Sequence, residues 1–234
     1  MAEPTGPSTP EAARARARAL ATEALEAGRP TAWFERLYRA AAGDPAGVPW
    51  ADLVPNPALA AWAARPGALA GARTACVVGC GLGHDAEHLA RLGLRVTAFD
   101  VAPEAIAWAQ RLHPRTTVVY EVADLFALPA AWRAAFDLVV EVYTLQALPR
   151  AVRGAAARAV RSLVAPGGRI LLYTRVREDG PVDERAEGPP WPLGRGELTA
   201  LFAPFEPEAP WTEERSEQDP RVTRVFGVLR APSR

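Results

Sequence analysis

Apolar residues form five short continuous runs in the central part of the chain. The runs are TACVVG, RVTAFD, TTVVYEVAD, FDLVVEVY and GRILLYTRV, all between positions 74 and 176. Continuous rather than alternating apolar residues are typical of strands that are buried on both faces of a sheet. Amphipathic helical patterns separate several of the runs, at 84–92, 103–112 and 150–164. This repeat of strand and helix predicts an α/β fold with a doubly wound parallel sheet.

The two ends of the chain carry different patterns. After a helical pattern at 195–202, the segments FEPEAPWTEER and RVTRVFGVLRA predict a closing antiparallel pair. The sheet is therefore expected to have seven strands and to be mostly parallel. Before the sheet, helical patterns lie at 11–27, 31–43 and 58–64. We expect a disordered tail at 1–10, an N-terminal helical lid at 11–70 and the sheet domain at 71–234.

Length and composition narrow the class of protein. A chain of 234 residues with 27 basic and 27 acidic side chains is close to neutral, which disfavours nucleic acid and anionic membrane as partners. No apolar run is long enough to span a bilayer. Cys76 and Cys80 lie too close together on one strand and its loop to pair without distortion, so free thiols in a reducing compartment are expected. We expect a cytoplasmic protein, with a monomer favoured. The basic residues are all arginine, as in GC-rich bacterial coding.

A glycine-rich loop follows the first apolar run, in the stretch VVGCGLGHD. Its glycines are Gly79, Gly81 and Gly83, and a helical pattern begins directly after them. A helix N-terminus offers free backbone N–H groups, and ligands of doubly wound sheets bind at the carboxyl ends of the strands. The spacing is G-x-G-x-G, and His84 stands where the dinucleotide fingerprint requires its third glycine. A P-loop is excluded, because the chain has no lysine.

Two acidic residues end the next two predicted strands. Asp100 ends the second strand, where a carboxylate can accept both hydroxyls of a ribose. Asp124 ends the third strand and has Ala123 and Leu125 beside it, which suits an adenine ring. Since the glycine loop has no basic residue, these acids favour an adenosine without phosphate. A nicotinamide oxidoreductase remains an alternative, favoured by Asp100 and opposed by His84.

Four stretches together resemble the class I S-adenosylmethionine-dependent methyltransferases. They are VVGCGLGHDAEHLARLGLRVTAFDVAPEAI, VADLFALP, FDLVVEVYTLQALPR and LVAPGGRILL. The segment GCGLGHDAEHLARLG is most similar to the branch of thiopurine S-methyltransferases and tellurite-resistance methyltransferases. The resemblance implies a Rossmann-like fold and a methyltransferase enzyme with S-adenosyl-L-methionine as its cofactor.

The same resemblance implies a set of cofactor-binding positions. The glycines would line the methionine part, Asp100 would hold the ribose, and Val101 and Asp124 would flank the adenine. The full expected set is Gly79, Cys80, Gly81, Gly83, Asp85, Asp100, Val101, Asp124, Leu125, Glu141, Trp33 and Trp50. One position departs from the family, which commonly has an acid where this chain has Val77. The methionine ammonium would then be held by loop carbonyls or by the N-terminal segment.

The fourth strand ends in residues that suit the acceptor side of such a site. Glu141 and Tyr143 are expected to be catalytic or to line the pocket, with Gln146 and the segment around Trp191 beside them. The structural alternative is that Tyr143 packs and Glu141 binds a backbone N–H. Because these residues include no lysine and no arginine cluster, we expect a small-molecule methyl acceptor, with a thiol or another soft nucleophile favoured. The alternatives are an O- or N-methyltransferase, or a non-catalytic protein that binds S-adenosylmethionine.

A short histidine motif suggests a different function for the helix that follows the glycine loop. His84, Glu87 and His88 fit the pattern H-x-x-E-H, which binds zinc in some proteases. The helix begins at the glycine loop, however, and the only other histidine, His113, lies on a different segment. Acids in a first helical turn are also explained by the helix dipole. No metal is expected.

Overall fold

The structure is a computed structural model that describes residues 9–178, 188–215 and 223–233. The predicted tail at 1–10 falls mostly outside these residues. The N-terminal part is helical, as predicted. Its three helices are α1 (Pro10–Glu26), α2 (Ala32–Ala41) and α3 (Pro57–Ala63).

Strands and helices then alternate as the apolar pattern predicts. They are β1 (Thr74–Val78), α4 (His84–Arg91), β2 (Arg95–Asp100), α5 (Pro103–Leu112), β3 (Val119–Val122), β4 (Phe136–Val142), α6 (Arg150–Leu163) and β5 (Val164–Arg177). The described C-terminal part contains β6 (Leu193–Gly194), α7 (Arg195–Phe202), β7 (Glu206–Pro207), β8 (Thr212–Arg215) and β9 (Thr223–Arg230).

One mixed sheet connects all of these strands. Its order is β3-β2-β1-β4-β5-β9-β7, with β6 beside β5 and β8 beside β9. The first five strands are parallel, and β9 runs antiparallel to β5. The predicted Rossmann-like α/β fold with a closing antiparallel part is confirmed. Nine strands are present in the described residues instead of seven, because β6 is an additional two-residue strand and the segment 205–215 is divided into β7 and β8.

The sheet is covered on both faces, which explains its continuous apolar runs. Val139 of β4 belongs to the core cluster that includes Val160 and Leu163 of α6. Its neighbour Val140 belongs to the opposite cluster, which includes Leu89 of α4. Successive side chains of a strand point to opposite faces, so both must be apolar when helices cover both faces.

The three N-terminal helices pack in two different places. Leu59 and Trp62 of α3 belong to the same core cluster as the α4 face of the sheet. Helices α1 and α2 form a cluster of their own that also contains Trp191. Among the described residues, no helix combines the length and apolar character that crossing a membrane requires. Cys76 and Cys80 are free thiols, as predicted.

Candidate functional site

The glycine loop connects the end of β1 to α4 and is tied to the end of β2. The Cys80 N–H donates to the Phe99 carbonyl at 2.9 Å, and the Gly81 N–H donates to Asp100 Oδ2 at 3.0 Å. These bonds hold the loop across the carboxyl ends of two parallel strands. Three neighbouring strand ends therefore meet at this edge, because β4 pairs with β1 on the other side.

Two of the loop glycines leave room for protein side chains. A Cβ on Gly79 would lie 2.6 Å from Thr144 Oγ1, and a Cβ on Gly83 would overlap the hydroxyl of Tyr120. Both glycines also have positive φ angles, 59° and 85°. The sequence predicts that these glycines face a ligand, and in the structure Thr144 and Tyr120 also occupy the positions that a Cβ would take.

The overlap at Gly83 leads to a stability prediction. Gly83→Ala is expected to reduce the free energy of unfolding by about 1–3 kcal/mol more than Gly93→Ala, because Tyr120 would be overpacked. Gly93 is the matched control, since its φ is 93° but no atom of the described part of the chain lies within 4 Å of a Cβ there. Urea unfolding of both variants measures the difference. Equal losses would show that Tyr120 moves away without penalty.

Asp100 ends β2 inside the protein. Its carboxylate accepts the N–H groups of Gly81 and Ala102, each at 3.0 Å. Burial raises its pKa to about 6, although these bonds act in the opposite direction. A carboxylate has about four lone-pair positions, so Asp100 keeps capacity for further donors such as ribose hydroxyls.

The predicted adenine-binding residues surround the ends of β2 and β3. The Ala123 N–H donates to the Asp100 carbonyl at 3.0 Å, which joins the two strand ends. Asp124 is half-buried, and its Oδ1 accepts the Phe126 N–H at 2.9 Å. Val101 is also half-buried. Leu125 is buried in the core cluster on the α6 face of the sheet.

Helix α2 and the segment after it lie over the glycine loop. A Cβ on Gly81 would be 3.1 Å from Tyr38 Oη and 4.0 Å from Trp50 Nε1. The Trp50 indole N–H donates to Tyr38 Oη at 2.9 Å. Trp33 lies edge-on to Trp50, with 5.8 Å between ring centroids, and is fully buried. Its indole nitrogen has no hydrogen-bond partner among the described residues.

Glu141 is a buried acid at the end of β4. It is 0% exposed and lies beside Val78, the residue before Gly79, in the register of the sheet. Oε1 accepts the Leu145 N–H at 2.8 Å, whereas Oε2 has no partner in the described part of the chain. Burial raises the pKa of Glu141 to about 7. A carboxyl group that titrates near neutral pH and has one free oxygen can accept a proton.

Tyr143 and Gln146 lie directly after Glu141. Tyr143 has a φ of 62°, which is rare for a residue with a side chain. Its ring centroid lies 5.1 Å from that of Tyr173. Gln146 is buried. Its side-chain Oε1 accepts the Arg175 main-chain N–H at 2.8 Å, and its main-chain carbonyl accepts the Trp191 main-chain N–H at 2.7 Å. The predicted acceptor-side residues are thus brought together, with the N-terminal cluster against Trp191.

The histidine motif does not assemble into a metal centre. Among the described residues, no three histidine, cysteine, aspartate or glutamate side chains group together as metal ligands. Glu87 instead accepts hydrogen bonds from Tyr120 and Thr116. Asp85 accepts the Asn56 N–H at 2.6 Å, which fixes the start of α3 to α4, and burial raises its pKa to about 6.

Sequence reasoning missed three contacts at this site. In the sequence, Tyr38 lies in the helical pattern at 31–43, Tyr120 lies in the third apolar run, and Thr144 directly follows the fourth. All three contact the glycine loop from segments that are distant in sequence. Their chemistry is ordinary, so no local pattern identifies them.

Comparisons with known proteins support the fold. Residues 76–168 match a family described as "Methyltransferase domain". The chain has the class I methyltransferase fold. The N-methyltransferase NodS from Bradyrhizobium japonicum, solved with S-adenosyl-L-homocysteine, superposes with a TM-score of 0.66 at 22% identity, over 86% of this chain and 98% of NodS. A 1,6-didemethyltoxoflavin-N1-methyltransferase from Burkholderia thailandensis gives 0.58 at 20% identity, over 100% of this chain and 94% of that one.

Curated relatives have a more specific name. A ubiquinone biosynthesis O-methyltransferase of Xanthomonas campestris is 40% identical over 122 residues, which are 51% of this chain and 49% of the relative. A second one, from Xanthomonas euvesicatoria, is 42% identical over 109 residues, 45% of this chain and 44% of the relative. The chain thus spans about half the length of these relatives. By name, these curated relatives are O-methyltransferases rather than members of the thiopurine or tellurite branch.

Proposed function

We propose that this protein transfers the methyl group of S-adenosylmethionine to an oxygen atom of a small molecule. The observation that carries the proposal is Glu141, a fully buried acid beside the glycine loop, whose Oε2 has no hydrogen-bond partner among the described residues. The names of the curated relatives support an oxygen acceptor over the thiol that the branch resemblance favoured.

The residues at the strand ends fit the cofactor. Asp100 retains lone pairs for the ribose hydroxyls. Val101 follows the end of β2 and Asp124 follows the end of β3, where they would flank the adenine. Glu141 Oε2 and Trp33 Nε1 are buried polar atoms without protein partners among the described residues, as expected beside a polar ligand. When bound, S-adenosylmethionine supplies a methyl group that its sulfonium already activates.

We assign Glu141 the role of general base. A hydroxyl acceptor must lose its proton as its oxygen forms the new bond to carbon, and Glu141 Oε2 would accept that proton. A base with a pKa of about 7 is well matched to this task near neutral pH. A thiol ionises more readily and would need Glu141 much less.

Helices α1 and α2 and the segment to Trp50 would act as the lid. Tyr38 and Trp50 lie against Gly81, so cofactor entry would require them to shift. Helix α3, which the sequence placed in the lid at 11–70, packs into the core of the sheet. We therefore propose a shorter moving part than the sequence suggested.

Calorimetry and a turnover assay together test the proposal. S-Adenosylhomocysteine is expected to bind with roughly micromolar affinity, about −8 kcal/mol. Turnover is then measured as S-adenosylhomocysteine release with matched panels of phenols, thiols and amines, and phenols are expected to react best. Tight NAD binding without S-adenosylhomocysteine binding would indicate an oxidoreductase. Cofactor binding without turnover on any panel would indicate a non-catalytic binding protein, and a preference for thiols would reject the oxygen acceptor.

A further inference from the structure

Two arginines lie directly opposite each other at the acceptor end of the sheet. Arg175 of β5 and Arg224 of β9 are register partners in an antiparallel pair. Both are half-buried. Like charges in directly opposite positions destabilise a sheet, and a buried charge is unfavourable unless it is paired. This arrangement therefore needs a compensating group.

The described residues provide little of that compensation. No described carboxylate forms an ion pair with Arg175 or Arg224, and the Arg175 Nε atom is buried without a hydrogen-bond partner. Glu214 is the register partner of Arg224 on its other side, but its Oε2 accepts the Tyr173 hydroxyl at 3.3 Å. Arg14 of α1 adds a third positive charge, which contributes with burial and Arg224 to a lowered pKa of Arg175.

Aromatic residues fix the position of this cluster beside the proposed reaction site. The Arg175 guanidinium carbon lies 5.6 Å from the centroid of the Tyr143 ring. Tyr143 adopts a φ of 62° two residues after Glu141, and its N–H donates to the Tyr173 carbonyl at 2.9 Å. Backbone strain of this kind persists where the surroundings enforce it, and it concentrates at functional sites. Gln146 Oε1 also anchors the Arg175 backbone.

We propose that Arg175 and Arg224 form a subsite that binds an anionic group of the methyl acceptor, a carboxylate or a phosphate. The acceptor would then be a hydroxylated aromatic anion, whose ring lies against Tyr143 while its hydroxyl faces Glu141. This inference rests on the proposed function and names the class of its substrate. The whole chain has equal numbers of basic and acidic residues, so its net charge does not indicate this local excess of positive charge.

Binding measurements separate this proposal from the proposed function. The protein is first titrated with S-adenosylhomocysteine, and failure at this step rejects the proposed function. The saturated protein is then titrated with 3,4-dihydroxybenzoate, the neutral 3,4-dihydroxybenzamide and phenyl phosphate, at fixed low ionic strength. The benzoate or the phosphate is expected to bind about tenfold or more tightly than the amide, because hydrogen bonds to charged groups are strong. The anion that binds more tightly shows whether the subsite prefers a carboxylate or a phosphate.

Variants assign that preference to the cluster. Arg175→Gln and Arg224→Gln should each reduce the preference for the anion by about tenfold, with the affinity for S-adenosylhomocysteine and the melting temperature retained. Arg95→Gln is the matched control, because it removes the same charge from an exposed position. Arg95 is the first residue of β2 and so lies at the edge of the sheet opposite the proposed site. Equal binding of anion and amide by the wild-type protein would overturn the proposal. Absence of anion binding, or an equal loss in Arg95→Gln, would overturn it too.

Discussion

Glu141→Gln is expected to lower kcat for methyl transfer to a phenol by roughly 10²–10⁴, the range typical of a lost general base. Glutamine keeps an oxygen that can accept the Leu145 N–H, now held by Oε1 of Glu141 at 2.8 Å. The local backbone should therefore be retained while the proton acceptor is removed. In the wild-type protein, kcat should rise as the pH increases through about 7, because Glu141 must be ionised to act. The variant should lack this rise.

Stability measurements separate this effect from unfolding. Burial raises the folded-state pKa of Glu141 to about 7 from an ordinary value of 4.5. The native state consequently binds its proton more tightly than the unfolded state, so this group's contribution to stability falls as the pH rises between these values. At pH 8 the glutamine variant avoids a buried charge and should be at least as stable as the wild type.

Two other outcomes would assign Glu141 differently. A kcat within about tenfold of wild type, with the fold intact, would favour a thiol or another acceptor that needs no base. A weaker affinity for S-adenosylmethionine with little change in kcat would indicate that Glu141 holds the methionine ammonium. That role would replace the acid that the family commonly has at the position of Val77.

Asp100→Asn is expected to weaken the binding of S-adenosylhomocysteine about tenfold or more. Hydrogen bonds from ribose hydroxyls to a charged acceptor contribute about 1.5–3 kcal/mol, and asparagine is neutral. Its amide would also face the N–H groups of Gly81 and Ala102, which now donate to the carboxylate at 3.0 Å. Isothermal titration calorimetry measures the change.

The pH dependence of binding provides an independent check on Asp100. Burial raises its pKa to about 6, so protonation below this pH removes the charged acceptor and should weaken binding. Asp100→Asn should remove that part of the pH dependence. Glu121→Gln is the matched control, since it neutralises an exposed acid on the neighbouring strand β3. An Asp100→Asn variant that folds and binds as tightly as the wild type would reject the ribose contact.

Much of the candidate site could be located from the sequence because its residues follow strand ends. Gly79, Asp100 and Glu141 each stand at the end of an apolar run, and parallel strands bring such ends to one edge. The same reasoning could not distinguish a glycine that faces a ligand from one that faces a protein side chain. A Cβ on Gly83 would overlap Tyr120, and only the tertiary structure shows this contact.

The sequence by itself determined the fold class and the edge of the sheet at which chemistry is expected. Local periodicity encodes which faces are buried, and glycines and acids at strand ends are visible as short motifs. Only the tertiary structure decided the register pairing of Arg175 with Arg224, the position of Tyr38 over Gly81 and the lack of a partner for Glu141 Oε2 among the described residues. These features depend on segments that are far apart in the chain. The burial of a residue and the charges around it depend on how distant segments pack, and a local sequence pattern does not contain this information.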